Sequence, residues 1–133
     1  MRILILGTGG LGGYFGARLA ASGADVTFVA RGEHLTAMRA NGLRIESALG
    51  NLLLKPVTAS DDPTSAGVVD LVMIGVKLWD TESAVEALAP AVGPDTAVVS
   101  FQNGVDTGLL TLRQQALGAR RALSVKFAER EPL

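Results

Sequence analysis

The 133-residue sequence predicts an α/β fold, a doubly wound and mostly parallel sheet with helices on both faces. Three observations predict it. Short apolar, β-branched runs alternate with segments of helical periodicity, the spacing of βαβ units. A glycine cluster, GTGGLG, separates the first apolar run from the first helical segment. Two later apolar runs, LVMIGV and TAVVS, lead directly into Lys77 and into FQNGVD.

Taken in order, Ile3 to Leu6 reads as a buried strand. From Gly10 to Ala21 the pattern is helical: Leu11, Phe15 and Leu19 recur every four residues, beside a stripe of small residues at Gly12, Gly16 and Ala20. Gly23 stops that helix. Asp25 to Ala30 is a second strand, and Glu33 to Ala40 a short helix ended by Asn41-Gly42. Leu43 to Glu46 and Leu52 to Val57 read as strands joined by a loop at Gly50-Asn51, with Pro56 marking a sheet edge. SDDPTSAG is a loop or a single helical turn, and Leu71 to Val76 a strand buried on both faces. Thr81 to Ala89 is a helix with Asp80 as N-cap and Pro90 near its end. Thr96 to Ser100 is a strand, residues 107–117 a helix closed by Gly118, and Leu123 to Phe127 a last strand.

Composition narrows the function classes. A chain of this length with 48% hydrophobic residues is one ordinary globular domain. A net charge of −1 gives no reason to expect nucleic acid or an anionic membrane as partner. Without cysteine there is no thiol chemistry, and the single histidine, His34, argues against a histidine-cluster metal site, so no metal is expected. The opening apolar run ends in glycines after Leu6 without a cleavage pattern, and no stretch approaches the ~20 apolar residues that span a bilayer. A soluble, cytoplasmic protein is the expectation.

Gly7, Gly9 and Gly12 spell G-x-G-x-x-G, the remaining positions being Thr8, Gly10 and Leu11. In a chain with 16 glycines the pattern alone is weak, and a structural turn without ligand is the plain alternative. A strand directly before it and a helix directly after it give each glycine a task. Gly7 permits the tight turn, Gly9 admits a pyrophosphate close to the backbone, and Gly12 lets helix and strand approach. The helix N-terminus offers free N–H groups and a positive dipole to phosphates. This is the dinucleotide-binding, Rossmann-type arrangement.

Arg31 lies nineteen residues after Gly12, where an NAD-type fold places an acid on the adenine ribose hydroxyls. An acid would repel a 2′-phosphate, whereas a guanidinium forms a bidentate, charge-assisted pair with one. Glu33 comes after Gly32, beyond the strand end. The alternative is a solvated arginine; the position favours NADP(H) over NAD(H) as cofactor. Lys77 and Asn103 each come after another strand, so a parallel sheet brings them to the same edge, although singly they read as a solvated charge and an ordinary Asn-Gly turn. His34 reads as a surface polar residue before a general acid, and Tyr14 and Trp79 as packing residues before contacts to a base or to the other side of a cleft.

With these residues in place the chain resembles the N-terminal domain of the ketopantoate reductase (2-dehydropantoate 2-reductase) family. The matching pieces are ILGTGGLGGYFGARLAASGADVTFVARGEHL, RANGLRI, DLVMIGVKLWDT and FQNGVD, covering nearly residues 1–107 in order. GVK and, about 25 residues later, QNG separate this family from other Rossmann dehydrogenases. The resemblance implies NADPH-dependent reduction of the 2-oxo acid 2-dehydropantoate to pantoate, a step towards pantothenate and coenzyme A. It assigns Gly7, Thr8, Gly9, Gly10, Leu11 and Gly12 to the pyrophosphate, Arg31 to the 2′-phosphate and Lys77 to the cofactor side of the cleft. Asn103 falls to the nicotinamide ribose and the substrate.

Family members continue into a helical second domain that supplies the catalytic lysine and a substrate-binding carboxylate. No catalytic residue is therefore assigned within these 133 residues. They are expected to form one NADP-binding domain, with 119–133 as the strand leading towards the second. Lys126, Glu129 and Arg130 stand where the family has a small, apolar strand. The 133 residues alone are expected to bind NADPH with little turnover, and an uncovered apolar face would favour a homodimer. Competing readings are a reductase of another 2-oxo acid or an imine, a stand-alone NADP(H)-binding sensor, and a structural βαβ protein without nucleotide.

Overall fold

The computed structural model describes residues 1–7, 11–75, 86–100 and 121–124. The chain opens with β1 (Arg2–Leu6), α1 (Leu11–Ala21), β2 (Asp25–Val29) and α2 (Gly32–Asn41). Three short strands come next: β3 (Leu43–Ile45), β4 (Leu52–Leu54) and β5 (Ala59–Ser60). Then come β6 (Val69–Ile74), a 3-10 turn at Ala89–Ala91, β7 (Val92–Ser100) and β8 (Arg121–Ser124). Six strands form one sheet in the order β5-β2-β1-β6-β7-β8, and every neighbouring pair in it is parallel. The chain thus winds outward from β1 in one direction and then in the other, the doubly wound order of dinucleotide-binding folds.

From Ile3 to Leu6 the first strand is buried on both faces because its odd and even residues there are all apolar. Ile3 and Ile5 join Val26, Phe28, Leu35, Met38 and Met73 in one core, with Phe15 and Leu19 of α1 packed against it. Leu4 and Leu6 join Val29, Val72, Ile74, Leu88, Ala91 and Val98 in another. One face is therefore covered by α1 and α2, the other by the segment ending in the 3-10 turn. Phe28 and Leu4 are wholly excluded from solvent, a burial that stabilises by roughly 1.5–3 kcal/mol per large side chain.

The stripe of small residues on α1 has its explanation here. A methyl on Gly16 would come within 2.5 Å of the Phe28 ring and 3.0 Å of Ile5, so glycine lets the helix sit against the sheet. Strands β3 and β4 pair antiparallel as a separate two-stranded sheet over α1, joined to it by the Arg18 guanidinium donating to the Gly50 carbonyl (2.6 Å). The second of these strands stops at Leu54, so Pro56 lies after it rather than on an edge.

Three further regions differ from the sequence-based expectation. Ser60, assigned to a loop, belongs to a two-residue strand beside β2, and only the residues after it turn. The strand expected from Thr96 begins at Val92 and carries an irregularity: Val69 pairs with Val92, then Leu71 with Ala97. Thr96, 2% exposed, holds it together, its hydroxyl donating to the Val69 carbonyl (2.6 Å) and accepting from the Gly93 N–H (2.9 Å). The last strand pairs parallel with β7 over Arg121–Ser124, two residues earlier than expected. Residues 86–88 are helical; the rest of the helix expected over 81–89, its Asp80 cap and the helix over 107–117 lie outside the described residues. No described helix is long and apolar enough to cross a membrane.

Candidate functional site

The register brings the carboxyl ends of all six strands into line. Ser60, Val29, Leu6, Ile74, Ser100 and Ser124 are successive partners across the sheet. The carboxyl ends of the six strands therefore lie along one edge of the sheet. The winding reverses at β1, between β2 and β6, and ligands of doubly wound sheets bind outside the carboxyl ends at such a point.

At the centre of that edge Gly7 ends the first strand with φ 84°. The helix α1 starts four residues later, at Leu11, and the first N–H groups of a helix have no acceptor within it. Gly12 packs so closely on the turn that a Cβ would collide with the Gly7 carbonyl oxygen. Gly7 thus has a positive φ that suits glycine, and Gly12 leaves room for the helix to approach the strand end. Thr8, Gly9 and Gly10 lie outside the described residues.

Sequence reasoning missed a further glycine at this edge, Gly75. Its N–H donates to the Leu6 carbonyl (2.8 Å), and a Cβ there would lie 3.0 Å from the Gly7 oxygen and 3.7 Å from Gly12. The signal in the sequence was only a glycine directly after an apolar run; its place beside β1 comes from the pairing with β6.

Arg31 leaves the sheet beside the glycine turn. Ala30 is buried and its N–H donates to the Ser60 carbonyl (3.0 Å), so the second strand is held up to that residue. Arg31 comes next in extended conformation (φ −134°, ψ 159°), exposed, at the N-cap of α2. Its guanidinium makes no hydrogen bond or ion pair with another described residue, unlike Arg18 on Gly50 and Arg39 on Ala59. The acid nearest in sequence, Glu33, is exposed in the first turn of α2, off the strand. An exposed guanidinium, able to form a charge-assisted pair with an anion, therefore follows the second strand directly after Ala30.

Tyr14 lies edge-on to Phe15 (5.3 Å between centroids) and under the Arg18 guanidinium (5.5 Å), a packing role on the hairpin side of α1. His34 sits in the first turn of α2. Lys77 lies two residues after Gly75 and Asn103 three after Ser100; these, with Trp79, lie outside the described residues. Among the described residues no three metal-ligating side chains cluster. A shallow hollow lined by Met1, Arg2, Asp25, Val68 and Asp70 lies at the opposite, amino edge of the sheet, where Arg2 and Asp25 form an ion pair (3.8 Å).

Comparison with known proteins agrees with this architecture. A family model described as ketopantoate reductase PanE/ApbA matches residues 3–125. The chain is 42% identical over 106 residues to a 2-dehydropantoate 2-reductase of Mesorhizobium japonicum, covering 79% of this chain and 32% of that protein. With a 2-dehydropantoate 2-reductase of Archaeoglobus fulgidus the identity is 43% over 105 residues, 78% of this chain and 33% of the relative. A crystal structure of a PanE/ApbA family ketopantoate reductase from Ralstonia eutropha superimposes with a TM-score of 0.81 at 37% identity, over 92% of this chain and 40% of that one. The chain spans about a third of the length of the curated relatives it matches.

Proposed function

The chain belongs to the ketopantoate reductase family, and from that premise we propose that its 133 residues form the NADP(H)-binding domain of a 2-dehydropantoate reductase. The reaction proposed is the NADPH-dependent reduction of 2-dehydropantoate to pantoate, towards pantothenate and coenzyme A. The observation that carries the cofactor reading is Arg31, exposed two residues beyond the end of β2 and directly after the buried Ala30, at the same edge as Gly7. That turn fits a dinucleotide: where Gly12 meets the Gly7 carbonyl there is no room for a side chain, and the helix N-terminus favours a pyrophosphate.

Residues Gly7 to Gly12 would hold the pyrophosphate and Arg31 the 2′-phosphate. Lys77 and Asn103 complete the set by resemblance to the family. Asn103 suits contact with both ribose and substrate because one amide supplies a donor and an acceptor. When bound, the reduced nicotinamide supplies the hydride that converts a keto carbon to an alcohol. The chain's own contribution is position and electrostatics, and no acid that would protonate the carbonyl is assigned to it. The 133 residues by themselves are therefore expected to bind NADPH and turn over little substrate.

The test is NADPH oxidation in the presence of 2-dehydropantoate, measured on the 133-residue chain and on the same chain joined to the second domain of a family member. Oxidation only in the joined protein is the expected result. Rapid, saturable oxidation by the 133 residues alone would overturn the division of labour, and inactivity of a folded joined protein would overturn the substrate.

A further inference from the structure

Arg31 is suspended between two fixed pieces of the fold. Upstream, Ala30 is buried and tied to Ser60. Downstream, α2 is anchored by Leu35 and Met38 in the core and by Arg39, whose Nε and Nη2 both donate to the Ala59 carbonyl (3.2 and 3.1 Å). The helix begins at once, the Leu35 N–H donating to the Arg31 carbonyl (3.3 Å) and the Thr36 hydroxyl to that of Gly32 (3.2 Å). The chain makes the passage from strand to helix through one left-handed residue, Gly32, at φ 59°.

A Cβ added at Gly32 would meet nothing within 4 Å. Glycine is thus needed there for backbone conformation and not for space. Left-handed conformations disfavour every residue with a Cβ, Asn less than most. With strand and helix both anchored, a residue that resists positive φ passes the change to the adjoining torsions, those of Arg31 foremost. We infer that Gly32 is a positioning residue for cofactor choice: its left-handed turn aims the Arg31 guanidinium at the adenine-ribose end of the site. Gly32 touches no phosphate in this role and acts through its neighbour. The inference rests on the reading of Arg31 as the 2′-phosphate partner.

Calorimetric titration of the 133-residue chain with NADPH and with NADH separates the possibilities. Gly32→Ala is expected to weaken NADPH about tenfold, the size of a typical left-handed penalty, and to leave NADH unchanged. In an Arg31→Ala background the same substitution is expected to cost nothing further. Gly32→Asn is expected to lose about threefold or less, again for NADPH alone, and carries the test should the alanine variant fail to fold. Equal weakening of both nucleotides, an unchanged NADPH affinity, or a further loss without Arg31 would overturn the inference. If Arg31→Ala itself leaves the NADPH preference intact, the underlying cofactor reading falls and this one with it. If Arg31→Ala abolishes the preference and the Gly32 variants do not alter it, only the positioning role falls.

Discussion

Leu6 and Val29 are partners at the last register position of two adjacent parallel strands. The glycine turn after one and the arginine shortly after the other therefore leave the sheet side by side, although 24 positions apart between Gly7 and Arg31. The proposed binding mode, with a pyrophosphate at the turn and a 2′-phosphate at the arginine, draws on this parallel pairing. The turn, the helix contact and the arginine can each be altered separately.

Gly12→Ala is expected to weaken NADPH and NADH alike, by tenfold or more, without altering the preference between them. The added methyl would run into the Gly7 carbonyl and displace either the turn or the start of α1. Titration with both nucleotides checks this, and wild-type affinity for both would show that the turn has no part in binding.

Gly16→Ala is expected to destabilise the fold by about 1–3 kcal/mol, the usual cost of an overpacked core, lowering the midpoint of thermal unfolding by several degrees. The clash is with the Phe28 ring at 2.5 Å and Ile5 at 3.0 Å, away from the phosphate end of the helix. Nucleotide preference in the folded variant is expected to stay unchanged.

Asp62 titrates below the usual carboxylate range because the Thr64 hydroxyl (2.7 Å) and then the Thr64 N–H (2.9 Å) donate to its Oδ1. A carboxyl whose folded-state pKa is depressed stabilises the fold above its ordinary value and loses that contribution as pH falls through the depressed one. Its full exposure keeps the effect small and screened by salt. Carboxyl NMR is expected to show the low midpoint, rising in Thr64→Val; an identical midpoint in both proteins would contradict it.

How much of this was legible in the sequence varies with what holds each element. Ile3 to Leu6 could be read as a buried strand because every residue in it is apolar, and Gly12 and Gly16 could be read as a stripe because helix-to-sheet contact excludes side chains there. Strand β5 could not. It is two small residues held by backbone groups, the Phe28 and Ala30 N–H donating to Thr58 and Ser60, and by the Arg39 guanidinium from a distant helix. The irregular start of β7 was hidden for a similar reason, since one buried hydroxyl, on Thr96, organises the Gly93-Pro94 stretch. At the site, Arg31 was found by its interval from Gly12, whereas Gly75 matters only through the pairing of β1 with β6, which the linear sequence does not display.

The most direct test of the cofactor claim is calorimetric titration of the chain with NADPH and with NADH, each repeated on Arg31→Ala. A preference for NADPH of roughly tenfold to a hundredfold, as expected of a charge-assisted pair, should disappear in the variant while NADH affinity holds. A preference for NADH, or an NADPH preference that survives the loss of Arg31, would contradict the claim.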